Sequence, residues 1–101
     1  MYLNEEYTDC DNVPVVRAHI DSNGHVNNGQ YLSIAEDILP KNFTYQYVRA
    51  DYRKSAILGD TLCPKISIQD DKCIVLLTDK DGNVYTVIEF LKNIEKEEYN
   101  D

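Results

Sequence analysis

A single stretch of this chain has the periodicity of a helix. From Asn28 to Leu39 the apolar residues Tyr31, Leu32, Ile34, Ala35, Ile38 and Leu39 recur at i, i+3, i+4 and i+7, a wide stripe that must be covered along its length. Glu36 and Asp37 face away from the stripe. Pro40 ends the run, because it lacks an N–H and its ring blocks the preceding turn. At the other end Asn27, with Gln30 three positions on, fits a capping box. Everything after Pro40 reads as strand. Phe43 to Tyr52 is rich in aromatic and β-branched residues, and Leu62 to Ile68 alternates, with Leu62, Ile66 and Ile68 on one face. Cys73 to Thr78 is continuously apolar, as expected of a strand covered on both sides. Asp79-Lys80-Asp81-Gly82-Asn83 is a hairpin turn into a last strand, Val84 to Leu91. Ahead of the helix, Val13 to Ile20 reads as one more strand, with Pro14 at its start or on an edge.

One helix of about three turns against a largely antiparallel sheet is an α+β layer, in the order β-α-β-β-β-β. The domain is expected over residues 13–92, with an irregular segment at 1–12 and an acidic tail at 93–101. The wide helix stripe and the two-sided strands leave apolar surface that one sheet cannot cover, so a homodimer is expected.

The net charge of −8 argues against nucleic acid as a partner, since phosphate contacts need a basic surface. No apolar run approaches the roughly 18 residues of a membrane span, and Met1-Tyr2-Leu3-Asn4-Glu5-Glu6 is no signal peptide, so a cytoplasmic protein off the membrane is expected. The three cysteines, Cys10, Cys63 and Cys73, show no CxxC spacing, and Cys63 and Cys73 sit in apolar runs as fillers. His19, Asp21 and His25 lack a standard metal-ligand spacing, so neither a metal nor another cofactor is expected.

The chemistry concentrates in Ile20-Asp21-Ser22-Asn23-Gly24-His25-Val26-Asn27-Asn28. Asp21, Asn23 and His25 sit two apart on a turn-prone segment around Gly24, where a strand hands over to a helix N-terminus. A carboxylate can orient or deprotonate water there, an amide can position it, and an imidazole can act as base or donor. Free N–H groups of Val26, Asn27 and Asn28, at the positive end of the helix, can polarise a carbonyl. That combination suits hydrolysis of an acyl bond. Each residue also has a plainer use: Asp21 as a turn former, Asn23 in a left-handed turn, and His25, Asn27 and Asn28 at the helix cap.

This segment, with Tyr31-Leu32 after a short gap, resembles the hallmark of the hotdog-fold acyl-acyl carrier protein (ACP) thioesterases. Asp51-Tyr52-Arg53-Lys54-Ser55-Ala56, with Gly59-Asp60 just beyond, is similar to a second segment of that family. The resemblance implies a hotdog fold and hydrolysis of a fatty acyl-ACP or acyl-coenzyme A (CoA) thioester in fatty acid biosynthesis. It carries the catalytic Asp, Asn and His onto Asp21, Asn23 and His25. The family joins two hotdogs in tandem and places the motif in the second, so this chain corresponds to that half, as a stand-alone relative or one domain of a longer protein. Pairing with a second hotdog is then an alternative to the homodimer.

Two positions depart from the pattern. Ser55-Ala56 stands where plant members have Glu-Cys, and His19 occupies the place of a serine or acid. The missing Glu is implicated in activating water, which leaves a second reading, a weak or degenerate hotdog that binds acyl groups or mediates dimerisation. A related hydratase signature is a poor fit, since it has Asn-Pro and a His five residues after its Asp, whereas His25 follows Asp21 by four and Gly24 replaces the proline. Arg49, Arg53 and Lys54 form the one cationic cluster of an acidic chain. Arg53 and Lys54 are expected either to contact the phosphopantetheine phosphate or the acidic carrier, or to form a solvated strand face. Tyr45, Tyr47 and Tyr52 are expected to pack on the sheet.

Overall fold

A computed structural model of the chain describes residues 5–92. Two short strands, β1 (Thr8–Asp9) and β2 (Val13–Pro14), lead to a 3-10 turn (Arg17–His19) and the helix α1 (Asn28–Ile38). Four strands follow: β3 (Tyr47–Tyr52), β4 (Thr61–Ile68), β5 (Lys72–Thr78) and β6 (Val84–Leu91). They form one antiparallel sheet in the order β1-β4-β5-β6-β3, with β2 also pairing to β4.

The helix lies on one face of this sheet. Tyr31, Ile34 and Ala35 are its buried residues, and they share a core with Leu62, Ile66, Val75, Leu77, Ile88 and Phe90. β5 is the most enclosed strand, buried from Cys73 to Thr78, because its alternate residues Ile74 and Leu76 form a second cluster with Val87 on the opposite face. Tyr7 packs over that cluster. Cys73 is fully buried, and burial pushes its thiol above the ordinary range, as suits a filler; Cys63 is half-buried.

Several elements differ from the local reading. The expected strand Val13–Ile20 stops at Pro14. Beyond it Val15 turns its N–H to the Asp60 carbonyl and buries its side chain, and the chain then folds back on itself. The His19 ring Nδ1 accepts from Val16 N at 3.1 Å, while His19 N donates to the Val16 carbonyl, so a side chain competes successfully with the sheet for the backbone. Within the segment read as irregular, Thr8–Asp9 pairs with Lys65–Ile66 of β4. Phe43 closes a turn on Pro40, so β3 begins only at Tyr47. Ile68 continues the face of Leu62 and Ile66 but lies at the strand end, 60% exposed. The acidic tail from residue 93 lies outside the described residues.

β3 pairs only with β6 among the described strands. Val48, Ala50 and Tyr52 lie opposite Phe90, Ile88 and Thr86 and so share the helix-side face, yet all three are exposed.

Candidate active site

Residues 20–27 form a small hairpin that runs straight into α1. Ile20 bridges Val26, Asp21 N donates to the His25 carbonyl at 2.9 Å, and Gly24 N donates back to the Asp21 carbonyl at 3.1 Å. Gly24 has φ +81°, a left-handed conformation that a side chain would strain. The Asp21 carboxylate shapes this turn: its Oδ1 accepts from Asn23 N at 2.9 Å and, less closely, from His25 N at 3.4 Å. Its Oδ2 has no hydrogen-bond partner among the described residues. Asp21 is half-buried, while Asn23 and His25 are exposed with no side-chain hydrogen bond in that region. One turn thus carries the carboxylate, the amide and the imidazole.

The helix start offers less than the three amides expected. Val26 N is bonded to the Ala56 carbonyl at 2.9 Å and its side chain lies in the core. Asn27 N is bonded to the His19 carbonyl, and the Asn27 side chain caps the helix by accepting from Gly29 N at 2.8 Å. Gln30 N bonds the Asn27 carbonyl. That leaves Asn28 N as the first-turn donor with no acceptor among the described residues. No acidic side chain stands in the first turn to offset the positive end of α1.

The second segment lies alongside. His25 bridges Ile57, so the loop 53–60 runs against the hairpin. Ala56 is completely buried and Ser55 is exposed beside it. Gly59, at φ +95°, turns the loop, and Asp60 Oδ2 closes the turn by accepting from Ile57 N at 3.0 Å. The same oxygen accepts from the Tyr85 hydroxyl at 3.1 Å; burial, then this bond to a carboxylate, pushes the Tyr85 phenol up to about 12. Tyr85 reaches Asp60 because it is the extra residue of a bulge: Leu77 pairs with Thr86 and Thr78 with Val84, leaving Tyr85 between. Local pattern cannot announce such a bulge, though the Gly59-Asp60 pair was visible. Ile57 and Leu58, 48% and 53% exposed, present apolar surface next to His25.

The cationic cluster comes apart. Arg53 N and Lys54 N both donate to the Tyr85 carbonyl, but their side chains diverge. Arg53 pairs with Asp51 at 2.9 Å and lines a cleft with Tyr7 and Leu76. Lys54 pairs with Asp79 at 2.6 Å, lies 4.6 Å from the Tyr85 ring centroid, and shares a polar cleft with Ser55, Asp60 and Tyr85. Arg49 stands opposite Glu89 in the ladder. Tyr45 packs edge-on against Phe90 of the sheet and bonds Glu36 through its hydroxyl, whereas Tyr52 is exposed and its ring lies 6.1 Å from that of Tyr31 in the helix. Among the described residues no cluster of His, Cys, Asp and Glu could hold a metal, and no helix is long and apolar enough to cross a membrane.

The family model of the acyl-ACP thioesterase C-terminal domain matches residues 3–95. No curated protein matches the sequence. Among solved structures, an acyl-ACP thioesterase from Bacteroides thetaiotaomicron superposes with a TM-score of 0.72 at 21% identity, over 83% of this chain and 37% of that one. A hypothetical protein of Staphylococcus aureus in complex with CoA gives 0.75 at 19% identity, over 86% and 74%. A hypothetical thioesterase of Streptococcus pneumoniae with CoA gives 0.69 at 17% identity, over 84% and 82%. The chain therefore spans little more than a third of the Bacteroides protein, and the shared architecture, one helix on an antiparallel sheet, is the hotdog.

Proposed function

From its membership of the acyl-ACP thioesterase C-terminal domain family, to which this chain belongs, we propose that the protein hydrolyses a fatty acyl thioester to the free acid. The observation that carries the reading is the Asp21 hairpin running into the α1 N-terminus, with neither Asp21 Oδ2 nor Asn28 N bonded among the described residues. The thioester carbonyl would direct its oxygen to the Asn28 amide, whose dipole stabilises the negative charge that develops on attack. Asp21 Oδ2 would orient a water and take its proton as the oxygen adds to the carbonyl carbon. Collapse then breaks the carbon–sulfur bond, and His25 or the protonated Asp21 returns a proton to the sulfur. Water and thioester become acid and thiol. Asn23 would hold the water or the carbonyl.

The acyl chain would lie against the apolar surface of Ile57 and Leu58. The carrier is ACP or CoA, and the reaction belongs to cytoplasmic fatty acid biosynthesis. Lys54 would meet a phosphate by exchanging Asp79 for it, and Arg53 by leaving Asp51. The exposed edge and helix-side face of β3 suit a second hotdog, either another copy or a second domain. A non-hydrolytic acyl-binding hotdog is the second reading, favoured by Ser55 at the place of the family Glu.

Acyl-CoA and acyl-ACP thioesters of graded length, assayed with the wild-type chain, separate the two readings. Thiol release that disappears on removing the Asp21 carboxylate supports hydrolysis. Saturable binding without release supports the second reading.

A further inference from the structure

The Tyr31 hydroxyl takes no part in the chemistry just described, yet it is the keystone of the site's backbone. Tyr31 lies in the first turn and a half of α1, only 2% exposed, and its hydroxyl accepts from Ala56 N at 2.9 Å across 25 positions of sequence. The Ala56 carbonyl in turn accepts from Val26 N, and Val26 leads through Asn27 back into α1. Helix, hydroxyl, loop and hairpin thus close a ring. Asn28 N belongs to its helical side, and Asp21 and His25 hang from its hairpin side through the His25–Ile57 bridge. Asp60 ties the far end of the loop to Tyr85.

We propose that the Tyr31 hydroxyl is a positioning group for the hydrolytic site. It holds loop 53–58 in register with His25 and Val26, and so sets the spacing between the Asn28 amide and the Asp21 carboxylate. The proposal rests on the thioesterase reading. A phenyl ring at position 31 would fill the same volume but leave the buried Ala56 N–H without an acceptor, which favours a shift of the loop toward water. Displacement by about an ångström is enough to slow a reaction about a hundredfold.

The test is Tyr31→Phe in the full chain, with Tyr45→Phe as the control that removes a tyrosine hydroxyl from the far end of α1. Expected for Tyr31→Phe are a kcat about tenfold to a hundredfold lower with KM changed less than about threefold. Hydrogen exchange at Val26 N should also accelerate by about tenfold, with Leu77 N in the core of β5 unchanged. Tyr85→Phe, which loosens the loop from its other end, should lower kcat by less, about threefold. Tyr45→Phe should leave all of these unchanged. Equal acceleration at Val26 and Leu77, or none at Val26, overturns the proposal, because Tyr31 then supports the core and no more. So does an unchanged kcat with faster exchange at Val26. Exchange is measured without substrate, so a wild-type chain that hydrolyses no thioester sinks the functional reading while exchange still decides the ring.

Discussion

The hairpin at Asp21 and the hairpin at Asp79 are the same turn built twice. Each runs Asp-x-x-Gly-x, and in each the Asp N–H donates to the carbonyl four residues on, at 2.9 Å for Asp21 and 2.8 Å for Asp79. In each the glycine N–H returns to the Asp carbonyl at 3.1 Å. Oδ1 accepts from the second and fourth following amides in both, Asn23 and His25 in one case, Asp81 and Asn83 in the other. The second oxygen separates them. Asp79 Oδ2 receives Lys54 Nζ at 2.6 Å and Asn83 Nδ2 at 3.2 Å, and Lys54 above all holds its carboxyl well below the ordinary range. Asp21 Oδ2 has no hydrogen-bond partner among the described residues, and its turn feeds a helix N-terminus. A shared local geometry makes one aspartate a fastening and leaves the other for the role proposed above.

Changing one oxygen at a time breaks this comparison most sharply. Asp21→Asn keeps an acceptor for Asn23 N and His25 N, so the hairpin should survive, while thioester hydrolysis should fall by about 10²–10⁴-fold. Asp79→Asn keeps its turn equally well and should leave kcat within about twofold. Steady-state kinetics with circular dichroism on both variants checks the contrast; equal losses in the two would mean that the open oxygen is not special. Asp21→Ala is a poorer probe, since it also removes the acceptor that shapes the turn.

Ser55→Glu tests whether Asp21 works alone. A carboxylate at position 55 should raise hydrolysis by about tenfold or more, within the range general bases contribute. A brisk wild-type rate that Ser55→Glu leaves unchanged would show that position 55 is not where a base is missing.

The smallest effects are in the pH dependence of stability. Asp79 has a lowered folded pKa, so its contribution is present above the unfolded value of about 3.9 and is lost as pH falls further. Acid unfolding of wild type should therefore converge on that of Asp79→Asn below about pH 4. Tyr85 is the reverse case. Its folded pKa is raised to about 12, so its contribution is intact below the unfolded value of about 10 and fades as pH rises toward 12. Tyrosinate absorbance should show a late-titrating phenol that Tyr85→Phe removes.

The elements that could be read from the chain are those whose cause lies within a few residues. The α1 stripe, its Asn27 cap and its end at Pro40 follow from contacts one turn apart, and the apolar run of β5 declares burial on both faces by itself. The two Asp-x-x-Gly turns are equally local, which is why Asp21, Asn23 and His25 could be placed on one turn from sequence. The rest depends on partners far along the chain. Nothing near Val15 says that its N–H will go to the Asp60 carbonyl, and nothing near Thr8 says that Lys65 and Ile66 will pair with it. Arg53 and Lys54 read as one basic patch because neighbouring charges add on paper; Arg53 turns back to Asp51 two residues away, whereas the fold sends Lys54 to Asp79, 25 positions on. The Tyr85 bulge and the Tyr31–Ala56 bond are likewise products of register between distant segments. Burial and turn chemistry are written in short-range order, whereas the second partner of a polar atom is chosen only when separate segments are packed together.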